Sequence, residues 1–224
     1  HKPVLVVLVL GETARAESFG LQGYARNTTP ELAKLPITYF SQVSSCGTAT
    51  AVSLPCLFSG FTRKDYDAAA ARHREGLLDI LQRAGYAVSW LDNNSGCKGA
   101  CDRIQQIPML ENRKAAWCVN GECQDDLLLE SFIRHLSAAP VQDRIIVMHQ
   151  AGSHGPAYYR RYPKAFERFT PTCDSNALQS CSQQQVINTY DNTIAYTDHI
   201  LASMISAVAQ DERYSSALLY VSDH

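Results

Sequence analysis

This sequence contains no stretch long and apolar enough to cross a membrane. Its one continuous apolar run, Val4–Leu10, is a strand's length, far short of the ~20 residues a spanning helix requires. No small-residue cleavage site follows the run, so it is not a secretory leader either. There is no sustained basic stripe: 20 Lys and Arg stand against 22 Asp and Glu, for a formal net charge of −2. The short basic groups Arg72–Arg74 and Arg160–Arg161 read as solvated surface or, for one of them, as a contact for a phosphorylated substrate, and a nucleic-acid groove is excluded. Internal repeats and low-complexity tracts are absent. So are repeated C-x2-C knuckles, which argues against a zinc ribbon.

What is present is enough apolar residue for a core. The chain has 224 residues, 46% of them hydrophobic, a composition that sets disorder aside and suits one α/β domain. Eight cysteines, Cys46, Cys56, Cys97, Cys101, Cys118, Cys123, Cys173 and Cys181, fall in order into four close pairs. We read them as local disulfides that pin loops, which places the domain outside the cytosol. Spacing alone leaves other connectivities open. Export requires targeting information, so a signal or anchor is expected upstream of His1.

Val4–Leu10 (VLVVLVL) is β-branched as well as apolar and predicts a central strand covered on both faces, with Glu12 just past its end. Ile37–Val43 is a weaker strand candidate. Helices are predicted over Glu75–Arg83, Gln124–Leu136 and Gln183–Val208, and further strands over Tyr86–Leu91, Arg144–Met148 and Ala217–Val221. This recurring order of strand, polar loop and helix predicts a predominantly parallel α/β sandwich. In open α/β sheets, ligands bind beyond the carboxyl ends of the strands. Those positions hold Glu12, Asp92–Ser95, His149 and Asp223–His224, a repetition that a packed core does not itself require. The last strand ends beside His224 without the cover such a sheet needs, so further sequence is expected downstream.

Glu12, Asp223 and His224 offer carboxylate oxygens and an imidazole nitrogen, a mixture that suits zinc and other first-row divalent metals. Taken singly, each is as readily a surface or capping residue. Thr50, in Ser44-Ser45-Cys46-Gly47-Thr48-Ala49-Thr50, is the candidate nucleophile. Coordination to a metal would lower the pKa of its hydroxyl and aim the oxygen. The competing reading is that Thr48 or Thr50 caps the helix that follows. Pro55 complicates a regular helix from Thr50, because an interior proline removes a backbone donor. Asn94, Ser95 and Lys98 are candidates for holding a phosphate or polar headgroup, or form an exposed turn. His149 and His154 fall in His149-Gln150-Ala151-Gly152-Ser153-His154-Gly155-Pro156, a loop from which they could bind metal, contact a leaving group or carry a proton.

With these residues in view, the chain resembles the lipid A phosphoethanolamine transferases, a family that includes the mobile colistin-resistance enzymes. The shared landmarks are Gly11-Glu12-Thr13-Ala14-Arg15, Ser45-Cys46-Gly47-Thr48-Ala49-Thr50-Ala51 and Pro55-Cys56. They continue in Asp92-Asn93-Asn94-Ser95, Lys98-Gly99, His149-Gln150, Ser153-His154-Gly155-Pro156 and Ser222-Asp223-His224. Their order spans the chain from beginning to end. The resemblance implies an alkaline-phosphatase/sulfatase-like domain with Glu12, Thr50, Asp223 and His224 at a zinc site and Thr50 as nucleophile. It implies substrate contacts from Asn94, Ser95, Lys98 and His154, with His149 nearby and Asp65 matching an acidic substrate-site position. Cys46–Cys56, Cys97–Cys101, Cys118–Cys123 and Cys173–Cys181 would be its disulfides.

The implied reaction is two-step. Thr50 takes phosphoethanolamine from phosphatidylethanolamine, and a lipid A phosphate then takes it from Thr50. His154 would assist the departing or incoming group. Masking a lipid A phosphate with an amine weakens the attraction of polymyxins such as colistin. The setting implied is the inner membrane of a Gram-negative bacterium, with residues 1–224 as a monomeric periplasmic catalytic domain. That domain would be incomplete at its C-terminus and joined to an N-terminal transmembrane region not represented here. Rival readings are a transferase for another lipopolysaccharide sugar, a related phosphomonoester or phosphodiester hydrolase, and a non-enzymatic envelope-binding domain, which would explain the disulfides and core but not the residues gathered at the strand ends. A sulfatase would need a Cys-x-Pro-x-Arg setting, which Cys46-Gly47-Thr48 does not supply.

Overall fold

A computed structural model describes residues 1–224. Seven strands and six helices order the chain: β1 (Val4–Gly11), α1 (Thr50–Phe58), α2 (Ala68–Arg72), α3 (Leu77–Arg83), β2 (Ala87–Asp92) and β3 (Gln105–Ile107) form the first half. There follow α4 (Lys114–Trp117), β4 (Cys118–Val119), β5 (Glu122–Cys123), α5 (Asp126–Ala138), β6 (Arg144–His149), α6 (Gln183–Gln210) and β7 (Ser215–Ser222). Five strands form one sheet in the order β3-β2-β6-β1-β7, and every pairing in it is parallel. The predicted parallel α/β sandwich is what the chain builds.

Successive side chains of a strand point to opposite sides of the sheet, and the inner strands are packed on both, whereas the edge strand β7 stays largely exposed. Leu5, Val7 and Val9 of β1 and Ile146 and Met148 of β6 pack under α5 and α6, where they meet Leu128, Phe132, Tyr196, Ile200 and Met204. The alternate residues, Leu10, Ile145 and Val147 among them, pack under α1 and α3 against Leu54, Phe58 and Leu78. A strand buried on both sides can be apolar at every position, which is why β1 reads as an unbroken run. No helix of this chain is long and apolar enough to cross a membrane.

Four disulfides are formed, Cys46–Cys56, Cys97–Cys101, Cys118–Cys123 and Cys173–Cys181, and no cysteine is free. Cys118–Cys123 closes the small β4–β5 hairpin. Some expectations fail. Ile37–Val43 is not a strand: no strand pairs with it, and Phe40 and Val43 lie 73% and 63% exposed. The short strand β3 was not anticipated. Pro55 sits inside α1 without ending it. The carbonyl left without its donor belongs to Ala51, which is exposed and can bond water.

Candidate active site

Parallel pairing brings the carboxyl ends of β1, β2, β6 and β7 to one edge of the sheet, and the polar residues that follow each strand converge there. Glu12 leaves β1, Asp92–Ser95 leave β2, His149–His154 leave β6 and Asp223–His224 leave β7. Thr50 arrives from the side as the first residue of α1.

Thr50 is not the cap of that helix. The capping position is Ala49, which offers no side-chain bond. The Thr50 hydroxyl instead lies 2.9 Å from Glu12 Oε2 and 2.5 Å from Asp223 Oδ2. Both carboxylates are buried, at 3% and 6% exposure. Glu12 also accepts from Thr13 Oγ1 at 2.9 Å and Asn94 Nδ2 at 3.0 Å. Asp223 accepts from the Thr13 amide at 3.0 Å and touches His224 Nδ1. Burial works to raise the Asp223 carboxyl, but its bonds to Thr50, His224 and the Thr13 amide hold it below the usual carboxylate range. Thr13 itself has φ of 51°, a strained conformation for a β-branched residue. It is held there by these bonds and by Tyr190, whose hydroxyl donates to Thr13 O at 2.6 Å and accepts from the Arg15 amide at 3.0 Å.

This donor set fits a metal ion. The ligand atoms of Glu12, Asp223 and His224 lie within 4.8 Å of one another, close enough for one ion to gather them. The Thr50 hydroxyl has a single proton yet stands within hydrogen-bonding distance of two carboxylates. One of those contacts therefore has no proton to share, and a cation among the oxygens relieves it. Carboxylate, hydroxyl and imidazole donors are what zinc accepts.

The remaining predicted residues divide. Asn94 reaches the cluster, donating to Glu12 Oε2 and also to Gln150 O at 2.8 Å. Its own oxygen takes the Ser95 amide and hydroxyl, and Lys98 Nζ donates to Ser95 O and Oγ at 3.1 Å. His154 is half-exposed, with Nδ1 3.6 Å from Glu12 Oε1. A cavity of about 310 Å³ opens beside Asn94, Ser95 and His154. A second, of about 590 Å³, opens beside Thr13, Tyr190 and His224. Residues in or beside the cluster line both: Asn94 and His154 the first, Thr13 and His224 the second.

His149 is placed differently from expectation. Its ring is 0% exposed and packs edge-on to Trp90, with Nδ1 3.0 Å from Asp92 Oδ1, so it meets the site through Asp92 and not by touching a bound headgroup. Asp92 in turn takes the Asn94 and Gly96 amides at 3.1 and 3.0 Å. Burial pushes its carboxyl up, but the bonds from His149, Trp90 and Gly96 outweigh that and lower it. Asp65 does not join the cluster through any bond: its carboxylate accepts from Thr62 Oγ1 at 2.6 Å in an exposed turn. Arg161, read as solvated surface, is 5% exposed; its Nε donates to His154 O at 2.7 Å and its Nη2 pairs with Glu122 at 3.3 Å. Sequence reasoning missed Tyr190 and Arg161, whose partners lie on other elements.

Comparison with known proteins places this geometry in context. The sulfatase family model matches residues 5–224. The chain is 50% identical to the phosphoethanolamine transferase EptA of Salmonella typhimurium, over 98% of this chain and 40% of that protein. It therefore spans less than half the length of that relative. It resembles the soluble domain of lipooligosaccharide phosphoethanolamine transferase A from Neisseria meningitidis with a TM-score of 0.95 and 46% identity, covering all of this chain and 67% of that one. The C-terminal periplasmic domain of EptC from Escherichia coli, solved with zinc, gives a TM-score of 0.79 at 25% identity, covering 100% of this chain and 64% of that one.

Proposed function

This chain belongs to the sulfatase family and, within it, to the phosphoethanolamine transferases, and we propose that it moves phosphoethanolamine from phosphatidylethanolamine to a lipid A phosphate through Thr50. The single observation that carries the reading is the Thr50 hydroxyl at 2.9 and 2.5 Å from two buried carboxylates, at the start of a helix. No capping role explains that placement. The names of the relatives support the transferred group, and the lipooligosaccharide named for the Neisseria protein supports a lipid A-type acceptor.

Glu12, Thr50, Asp223 and His224 would hold zinc, as the zinc-bound EptC domain supports. Zinc there would supply positive charge that favours ionised Thr50 and polarises the phosphoryl oxygens. The steps belong to the chain's own side chains. Thr50 Oγ1, its hydroxyl proton released to solvent, attacks the donor phosphorus, the bond from phosphorus to the diacylglycerol oxygen breaks, and phosphoethanolamine remains on Thr50. His154, half-exposed at the cavity beside Glu12, gives a proton to the departing oxygen. An oxygen of the lipid A phosphate then attacks the same phosphorus and releases Thr50. Ser95, which lines that cavity, and Lys98, whose Nζ donates to Ser95 Oγ, orient the phosphate of the headgroup. The four local disulfides support a setting outside the cytosol, here the periplasmic side of the inner membrane.

The test uses the full-length enzyme with phosphatidylethanolamine and lipid A. Intact-protein mass analysis is expected to find phosphoethanolamine on Thr50 after exposure to donor alone, and Thr50→Ala is expected to lose both adduct and lipid A modification. A zinc-loaded Thr50→Ala enzyme that still transferred at the normal rate would overturn the mechanism.

A further inference from the structure

Asp125 immediately precedes α5, at the position where an aspartate ordinarily caps its own helix. It does not do so: no capping bond is formed, and the carboxylate is turned toward the edge of the sheet, 2% exposed. There it accepts the Ala151 amide on Oδ1 and the Gly152 amide on Oδ2, both at 2.9 Å, and Asn93 Nδ2 on Oδ1 at 2.9 Å. Three donors from two different loops thus meet on one buried carboxylate.

Both loops bear on Glu12. In the loop after β6, Gly152 has φ of +53°, and its backbone lies so close to Glu12 that a Cβ there would come within 2.8 Å of Glu12 O. The next residue donates its amide to the same carbonyl, Ser153 N to Glu12 O, at 2.9 Å. In the loop after β2, Asn94 follows the residue bonded to Asp125 and donates to Glu12 Oε2 at 3.0 Å. Glu12 is therefore gripped at its backbone by one loop and at its carboxylate by the other, and Asp125 joins the two. The same loop after β6 carries His154 two residues past Gly152.

We propose that Asp125 is a positioning residue of this site, bracing the loops after β2 and β6 so that Glu12 and His154 are held in register with Thr50. It touches neither Thr50 nor any ligand atom of the cluster. Groups that hydrogen-bond a metal ligand, as Asn94 does Glu12, commonly change metal affinity or activity 10–100-fold when removed, and Asp125 acts on the loops that carry those groups. The proposal rests on the reading of the Glu12–Thr50–Asp223 cluster as the zinc and transfer site.

A second carboxylate supplies a matched control. Asp198, on α6, is also fully buried and also accepts two backbone amides, from Glu31 at 3.0 Å and Leu32 at 2.9 Å, but those amides belong to a segment with no bond to the cluster. In the full-length enzyme, Asp125→Asn and Asp198→Asn should lose stability to similar extents in urea. Only Asp125→Asn should lose zinc affinity in a chelator competition, or kcat with phosphatidylethanolamine and lipid A, by about 10–100-fold, measured where both variants are fully folded. Should Asp125→Asn not fold, Asn93→Ala removes the bond from the loop after β2 to Asp125, together with the 3.0 Å bond of the same amide to Cys123 O, and should lower the same quantities several-fold. Wild-type zinc affinity together with wild-type kcat in the folded Asp125 or Asn93 variant would overturn the proposal, as would an equal loss in Asp198→Asn. The chelator measurement needs no transfer activity, so a failure of the transferase reading appears separately, as a wild-type enzyme that binds zinc and transfers nothing.

Discussion

Replacing Gly152 by alanine separates two costs that the structure distinguishes. The first is conformational: φ at Gly152 is +53°, and an L-residue with a Cβ in the left-handed region loses ~1–2 kcal/mol. The second is steric. The new Cβ would lie 2.8 Å from Glu12 O, 3.0 Å from Glu12 N and 3.2 Å from Glu12 Cβ. These atoms are backbone or backbone-adjacent and cannot swing aside, so Glu12 must retreat by on the order of half an ångström to restore ordinary contact, at an overpacking cost of ~1–3 kcal/mol. The sum is ~2–5 kcal/mol. Gly60 isolates the first cost, since its φ is +79° and nothing lies within 4 Å of its would-be Cβ. Urea unfolding of Gly60→Ala should therefore show only the conformational loss, and its zinc affinity by chelator competition should match wild type. Gly152→Ala should lose more stability and should also bind zinc more weakly, by about 10–100-fold, because the displaced residue carries a ligand. Equal stability losses in the two variants, with wild-type zinc affinity in Gly152→Ala, would refute the claim that this loop backbone sets the position of Glu12.

The sheet was legible in the sequence because burial on both faces lets β1, β2 and β6 read as apolar runs, and because a parallel sheet puts the residue after each run at one edge. Glu12, Asp92, His149 and Asp223 could be located on that basis alone. Their roles could not. Thr50 as cap and Thr50 beside two carboxylates are identical over any local window; what separates them is contact with residues 38 and 173 positions away. His149 and Asp92 stand 57 positions apart, and only their pairing shows that the ring is enclosed. Asp125 fell inside the predicted helix Gln124–Leu136 and drew no notice, because its partners lie 26, 27 and 32 positions away. Ile37–Val43 failed for the converse reason: apolar content marks a strand only where another strand is placed to pair with it. The site is thus legible to the extent that it follows from strand ends, and illegible where it depends on which loops those ends bring together.

Two further perturbations bear on what holds the site. Cys46–Cys56 closes a loop of separation 10 that runs into the helix bearing Thr50; the double replacement by serine should cost ~3 kcal/mol in the loop-entropy account, read as a lowered urea midpoint, and an unchanged midpoint would show the link to be redundant. His135, on α5, probes the core behind the sheet. Burial first, and then the charge of Arg144, hold its pKa below 6.5, and Ser89 Oγ lies 3.1 Å from its Nε2. The folded chain thus favours the neutral ring, while the unfolded chain takes up a proton on falling through pH 6.5. Protons bound preferentially by the unfolded state lower stability as pH falls. The contribution of His135 is therefore fully present above pH 6.5 and is lost between that value and its depressed folded pKa. A His135→Gln variant cannot titrate there, so the wild-type stability curve should fall more steeply than the variant's from pH 7 toward pH 5. Parallel curves across that window would mean that this imidazole is not held neutral by its surroundings.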